Sequence, residues 1–263
     1  MKQQTMPVVF ISHGAPFVAT EDGEYQQALR TFASQWHPRA VLVVSAHWET
    51  DLPPQITFGP THSLIYDFTG FDEALYSIKY PAPGQPEVAN EVEMLLNKAG
   101  WAPKRTTIRG LDHGAWVPLL LMYPAADIPV VQLSLPRPLD PRKLYAMGEA
   151  LCPLADDGIM LLASGGLVHN LRRIHPDARH RLMDTWAEEF DDWVWQRVQA
   201  HDHEALLQYR AQDAAALAVP SQWTEHFDVL FPALGAAGNG RPASPIFQGF
   251  DLGNLSMRSF YWS

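Results

Sequence analysis

The chain has 263 residues, 47% of them hydrophobic, enough for a large buried core, and it carries no Gly/Ser tract, charge block or repeat that would mark a linker. Its formal net charge of -10 at pH 7 argues against a nucleic-acid partner and against an anionic membrane surface. One cysteine, Cys152, excludes an intrachain disulfide and points to a reducing, cytoplasmic setting; the first apolar run is too short for a signal peptide, and no segment approaches a membrane span.

Val8-Val9-Phe10-Ile11 reads as a strand buried on both faces and runs directly into Ser12-His13-Gly14. Tyr25, Leu29, Phe32, Ala33 and Trp36 recur at helical spacing before Pro38 closes the segment. Ala40 to Val44 is a second buried strand, followed by Ser45-Ala46-His47, and Gln55 to Phe58 reads as a short edge strand. From Gly59 to Gly84 the chain is aromatic, irregular and rich in Pro and Gly; a loop of this length in a compact domain predicts a lid over the site mouth. Pro86 opens a helix carrying Val88, Val92, Leu95 and Leu96, with Gly100 as its C-terminal cap. A strand within Trp101 to Thr107 leads to Leu111-Asp112-His113-Gly114, and Ile128 to Leu133 is another strand, ending in Ser134. A helix over about Pro141–Leu154 precedes Ile159 to Ala163, a strand that reaches Ser164-Gly165-Gly166 and then His169. Helices follow over about Leu182–Ala200 and Gln222–Leu234, and the chain closes on Ile246 to Phe250, a Gly253-Asn254 turn and Leu255 to Trp262, a β-hairpin. The alternation predicts a single α/β domain spanning 1–263, with a mostly parallel central sheet covered by helices on both faces.

Three strands therefore deliver a histidine to one edge of the sheet, where open α/β sheets bind ligands. His113 joins His13, His47 and His169 in a Gly- or Ala-flanked turn, where small neighbours let side chain and ligand approach closely. His37, His62, His175, His180, His201 and His203 lie in polar or helix-surface contexts and receive no role. Arg172, Arg173, Arg179 and Arg181, with His175 and His180, form the one basic concentration and read as a solvated loop that can meet an anionic substrate. No H-E-x-x-H, C-x-x-C, P-loop or Gly-x-Ser-x-Gly pattern occurs, which leaves a histidine metal site or an acid/base site. The Gly165-Gly166 pair is expected to put His169 on a flexible turn.

Five segments then carry a resemblance: Ile11-Ser12-His13-Gly14-Ala15-Pro16, Val43-Val44-Ser45-Ala46-His47-Trp48, Leu111-Asp112-His113-Gly114-Ala115-Trp116, Ser164 to Leu171, and Thr224-Glu225-His226-Phe227. With Tyr66-Asp67-Phe68-Thr69-Gly70-Phe71 and Tyr80-Pro81-Ala82-Pro83-Gly84 they span nearly the whole chain. In this order they resemble the class III extradiol ring-cleaving dioxygenases, whose catalytic subunits are LigB-like, and most resemble the single-chain DOPA 4,5-dioxygenase branch. The resemblance implies one non-haem divalent metal, iron(II) for activity, with zinc as a tight-binding competitor. It implies His13 and His47 as metal ligands and His113 beside substrate and oxygen. His169 matches a histidine treated either as acid/base or as an additional ligand. The third ligand is Glu in some branches and His in this one, and Glu225 and His226 are neighbours here. Helix periodicity puts His226 on the apolar stripe with Val229, Leu230 and Ala233, and Glu225 on a solvated side with Asp228, so His226 is the expected ligand. The implied partners are a small catechol and O2, with no obligatory second subunit, as a monomer or small homo-oligomer. A zinc hydrolase on the same histidines and a non-catalytic ligand-binding protein are the competing readings.

Overall fold

The computed structural model describes residues 4–138, 140–178 and 183–263. Ten strands are formed: β1 (Val8–Ser12), β2 (Ala40–Thr50), β3 (Gln55–Thr57), β4 (Lys104–Thr106), β5 (Val130–Pro136), β6 (Ile159–Gly165), β7 (Ala243–Phe247), β8 (Phe250–Asp251), β9 (Leu255–Ser256) and β10 (Ser259–Trp262). Eight make one sheet in the order β4-β3-β5-β2-β6-β1-β10-β7. Its centre is parallel, β5, β2, β6 and β1 running together, while β10 and β7 continue it antiparallel. β8 and β9 form a small separate hairpin. The expected α/β architecture and C-terminal hairpin are both present.

Strand alternation explains why both faces of the sheet are covered. Val8, Phe10, Leu42, Val44, Leu133 and Leu161 enter one core cluster, while Val9, Ile11, Val41, Val43, Val130 and Leu162 enter the other. Helices α1 (Glu24–Ala33), α2 (Glu73–Ser77), α3 (Pro86–Lys98) and α4 (His113–Met122) come from the first half of the chain. Helices α5 (Pro141–Leu151), α6 (Thr185–Gln199), α7 (His203–Leu207), α8 (Ala215–Ala218), α9 (Glu225–Asp228) and α10 (Leu230–Ala237) come from the second. α1 and α4 cover one face; α3, α5, α6 and α10 cover the other. Pro86 begins α3, and Gly100 follows it at φ +86°, the left-handed conformation that ends helices. α5 and α10 pack backbone against backbone: a Cβ on Gly235 would lie 2.0 Å from the Tyr145 carbonyl oxygen.

Several expectations need correction. β3 is not an edge strand, because β4 pairs outside it. His113 is not in a turn but opens α4, capped by the Asp112 carboxylate, which accepts from the Ala115 N–H. The expected helix from Gln222 is two pieces that meet at Val229, and Leu182 lies outside the described residues, with α6 beginning at Thr185. His203 is buried, its Nδ1 paired with the Tyr145 hydroxyl at 3.0 Å, rather than on a helix surface. Among the described residues no helix is long and apolar enough to cross a membrane.

Candidate functional site

Each histidine of the site reaches it by a different local device. His13 follows Ser12 directly at the carboxyl end of β1. His47 is not in a turn after the strand, as expected, but lies within β2, which runs on to Thr50; its pairing with β5 slips between Val44 and Glu49. His113 stands at the first turn of α4, His169 in the loop after β6, and His226 in α9. Their rings form one cluster. Nε2 of His13 and Nε2 of His47 are 3.1 Å apart, and the His47 and His113 centroids are 4.0 Å apart. His169 and His226 stack in parallel, 3.6 Å between centroids and 6° between planes. The His226 ring lies 5.2 Å from that of His13 and 4.9 Å from that of His47. Ligating nitrogens of His13, His47 and His113 all lie within 4.8 Å of one another.

Close approach depends on missing Cβ atoms. A Cβ on Gly114 would stand 2.4 Å from the Ser45 hydroxyl and 3.0 Å from the His47 ring. A Cβ on Gly165 would stand 2.1 Å from the His226 carbonyl oxygen, which accepts the Gly166 N–H at 2.9 Å. The Gly165-Gly166 pair therefore does not form a flexible turn for His169: Gly165 ends β6 and lets α9 pack onto that strand.

A hydrogen bond to the inner nitrogen fixes which nitrogen faces the cavity. The peptide nitrogen of Pro118, inside α4, carries no hydrogen, so the Gly114 carbonyl four residues earlier is free of a helical donor. That carbonyl accepts the Ser164 hydroxyl proton. With its proton committed, Ser164 Oγ accepts from His13 Nδ1–H at 2.9 Å, and His13 Nε2 keeps its lone pair for the cavity. Asp67 does the same for His113, accepting its Nδ1–H at 2.9 Å and its backbone N–H at 3.0 Å. Glu225 Oε1 accepts His226 Nδ1–H at 3.1 Å, while Glu225 Oε2 lies 3.4 Å from Arg137, which also binds Glu49 at 2.6 Å. Glu225 is thus not solvated as its helix position suggested, and Asp228 is buried; α9 is a single turn enclosed by β2, β6 and Arg137. Fully buried Asp112 accepts from Ser45, Ala115, Arg109 and Gln132, which spends its oxygens on joining β2, α4 and β5. Ser134, the strand-end serine without a histidine, bonds Thr50 and Gln55 away from the cluster.

Burial sets the charge state. It is the largest cause holding His13 and His226 well below the ordinary imidazole value, reinforced by the neighbouring imidazoles. Burial, then His113, lowers His47 to about 4; burial, then His47, lowers His169 to about 3. For Asp67 burial pushes upward, yet the His113 hydrogen bond and charge outweigh it and hold the carboxyl at about 2. At neutral pH His13, His47, His169 and His226 are therefore neutral imidazoles with lone pairs, in a site that also holds an ionised Asp67. That donor set fits a divalent metal: two nitrogens each about 2.0–2.2 Å from one ion at a roughly 90–110° angle lie about 3.0–3.5 Å apart, which brackets the His13–His47 spacing.

The cluster forms the floor of a cavity of about 1010 Å³ walled by Phe17, Phe68, Phe71, Leu171, Ile174 and Trp223. Phe68, Phe71 and Asp67 come from the Gly59–Gly84 segment, which thus contributes to the cavity lining. Tyr66 ties that segment to itself by donating to the Ile78 carbonyl at 2.6 Å. Of the basic concentration, Arg172 and Arg173 line a separate cleft that shares Gln222 with the cavity, while Arg179, His180 and Arg181 lie outside the described residues. The sequence reading missed the anchoring roles of Asp67, Ser164 and Glu225. Each stood inside a quoted segment, but only tertiary pairing shows what it holds.

A family model described as the catalytic LigB subunit of aromatic ring-opening dioxygenase matches residues 7–248. The chain belongs to this family. A 4,5-DOPA dioxygenase extradiol of Beta vulgaris is 40% identical over 259 residues, covering 95% of this chain and 94% of that one. A protein of the same name from Escherichia coli K12 is 38% identical, covering 98% of this chain and 95% of its own. A solved structure of an uncharacterized protein from Escherichia coli K12 has a TM-score of 0.83 at 32% identity, covering 98% of this chain and all 100% of that one. Membership in the LigB family supports the opening of an aromatic ring with dioxygen as this chain's class of reaction.

Proposed function

We propose that residues 1–263 form one catalytic domain that cleaves a catechol beside its two hydroxyls, inserting both atoms of O2 to give a muconic semialdehyde-type product. The observation that supports this best is the convergence of five histidines on the floor of one aromatic-walled cavity. His13, His47 and His226 would hold the metal. Iron(II) bound there supplies the redox step that lets a singlet catechol react with triplet dioxygen. Phe68, Phe71 and Trp223 exclude water and orient the ring. His169, neutral and at the cavity wall, accepts a catechol proton at one ring nitrogen, and the negative charge of the bound catecholate raises its basicity as it does so. His113, with Nδ1–H held by Asp67, offers Nε2 on the side of the cavity facing Phe68.

The test is oxygen uptake and yellow product from iron(II)-loaded protein against a panel of catechols. Stoichiometric uptake is expected; no uptake with any catechol refutes the proposal, and ester or amide hydrolysis by the zinc form would favour the hydrolase instead. One observation favours a second ligand set, since it is His113 whose nitrogen groups with those of His13 and His47. Metal content decides between them. His226→Ala is expected to lose the metal and His113→Ala to keep it, and the reverse result would assign His113 as the ligand.

A further inference from the structure

With 29 acidic and 19 basic residues, this chain has more carboxylates than cations. Eight of the described arginines, from Arg30 to Arg258, do form ion pairs. Arg172, Arg173 and Arg210 form none among the described residues, and these three line one cleft of about 280 Å³. No acidic side chain lines it; Asn170, Ser221 and Gln222 complete its polar wall. Two of the guanidiniums are held in place. Arg172 lies over the Trp223 ring at 4.7 Å, and Arg210 lies over Tyr209 at 4.7 Å while donating to the Val219 carbonyl at 2.6 Å. Oriented guanidiniums with no ion pair among the described residues, of which Arg210 also feels the charge of Asp228, make a local positive potential suited to a planar anion.

The cleft adjoins the histidine cavity. Gln222 lines both, Trp223 under Arg172 lines the cavity, and only Asn170 and Leu171 separate Arg172 from His169. On another part of the rim Glu49 and Glu225 share Arg137, so that part offers no free cation. We propose that the three-arginine cleft binds the carboxylate of a catechol's side chain, making the enzyme selective for acidic catechols over neutral or cationic ones. This rests on the ring-opening reading above, and binding and turnover separate the two.

Binding is measured by calorimetry on zinc-loaded, oxygen-free protein with 3-(3,4-dihydroxyphenyl)propionate, its methyl ester and 4-(2-aminoethyl)catechol. The acid is expected to bind at least about 10-fold more tightly than the ester, the scale of one charge-assisted hydrogen bond. The amine should gain nothing over the ester, and the acid's advantage should shrink as salt is raised. Arg172→Gln combined with Arg173→Gln, and separately Arg210→Gln, should lower the acid-to-ester ratio to within about 3-fold, since a neutral amide keeps a donor and loses the charge. Lys104→Gln, an exposed cation outside the cleft, should keep the parental ratio. Circular dichroism melts establish folding, and if the double variant does not fold, Arg210→Gln carries the test. A parental ratio near one, or variants that keep the parental ratio, overturns the proposal. So does inorganic phosphate binding that leaves the ratio unchanged, since that marks a free-anion site. Steady-state turnover of the same acid and ester on iron(II)-loaded protein is read separately: no turnover of either refutes ring opening and leaves the binding ratio to judge the cleft.

Discussion

Asp67 is the carboxylate most exposed to a decisive test, because it comes from a segment lining the cavity and grips a histidine on the floor. It accepts two hydrogen bonds from one residue, at 2.9 Å from His113 Nδ1–H and 3.0 Å from the His113 backbone N–H, and it is ionised throughout the neutral range. Hydrogen bonds to a charged partner contribute about 1.5–3 kcal/mol, equivalent to about 10- to 150-fold in a rate. Asp67→Asn keeps an acceptor and loses the charge, so kcat/KM should fall about 10-fold. Asp67→Ala loses both bonds and releases the His113 tautomer, and about 100-fold is expected. The metal content should stay near the parental level in Asp67→Asn, while Asp67→Ala, which also removes the carboxylate 3.6 Å from Nδ1 of the assigned ligand His47, should lower metal affinity as well. Single-turnover absorbance of the ring-opened product and 15N spectra of the His113 ring read the two consequences separately. Parental kcat/KM in Asp67→Ala, with the His113 ring still protonated at Nδ1, would refute the reasoning.

His169→Ala should retain its metal while turnover drops by roughly 10²–10⁴-fold, the worth of a positioned proton-transfer group; loss of metal with activity restored by excess iron would make His169 a ligand instead. Gly165→Ala forces a Cβ against the His226 carbonyl, so the melting temperature should fall by the equivalent of about 1–3 kcal/mol together with metal affinity, and an unchanged affinity would show that α9 can yield. The metal-free protein should lose stability with falling pH from about 6.5, the unfolded imidazole value, through the folded value of about 4 for His47. The sign follows because the unfolded chain takes up those protons first. Asp228, raised by burial to about 6, acts in the opposite direction, as do Glu225 and Asp191, also raised by burial, so Asp228→Asn should steepen the histidine slope; a melting temperature that is flat over this range in the variant would refute it.

Much of the frame was legible because the central strands are short β-branched runs bounded by Gly, Pro and Ser, and because Ser12-His13 and Ser45-Ala46-His47 repeat the same strand-end arrangement. α4 was not legible as a helix. It is apolar all round and contains Pro118, so it shows no 3.6-residue stripe to read. Periodicity was informative for His226 and misleading for Glu225, since a four-residue helix enclosed on several sides has no solvent face. Asp67 and Ser164 could be seen as members of segments but not as anchors. Each acts on a histidine far away in the chain, Asp67 on His113 and Ser164 on His13, and nothing in local sequence announces such a pairing.

Pro118 carries a consequence for engineering. Proline inside a helix costs about 3 kcal/mol relative to alanine, so a routine stabilisation screen would select Pro118→Ala. That change restores an N–H four residues after Gly114, and the new donor competes with Ser164 for the Gly114 carbonyl. Once displaced, the Ser164 hydroxyl can turn its proton toward His13 Nδ1, and the imidazole then holds its own proton on the cavity side. A more stable protein would result, with the His13 proton on the nitrogen that faces the cavity. The proline is a helix defect retained where the fold gives up rigidity to keep one nitrogen unprotonated.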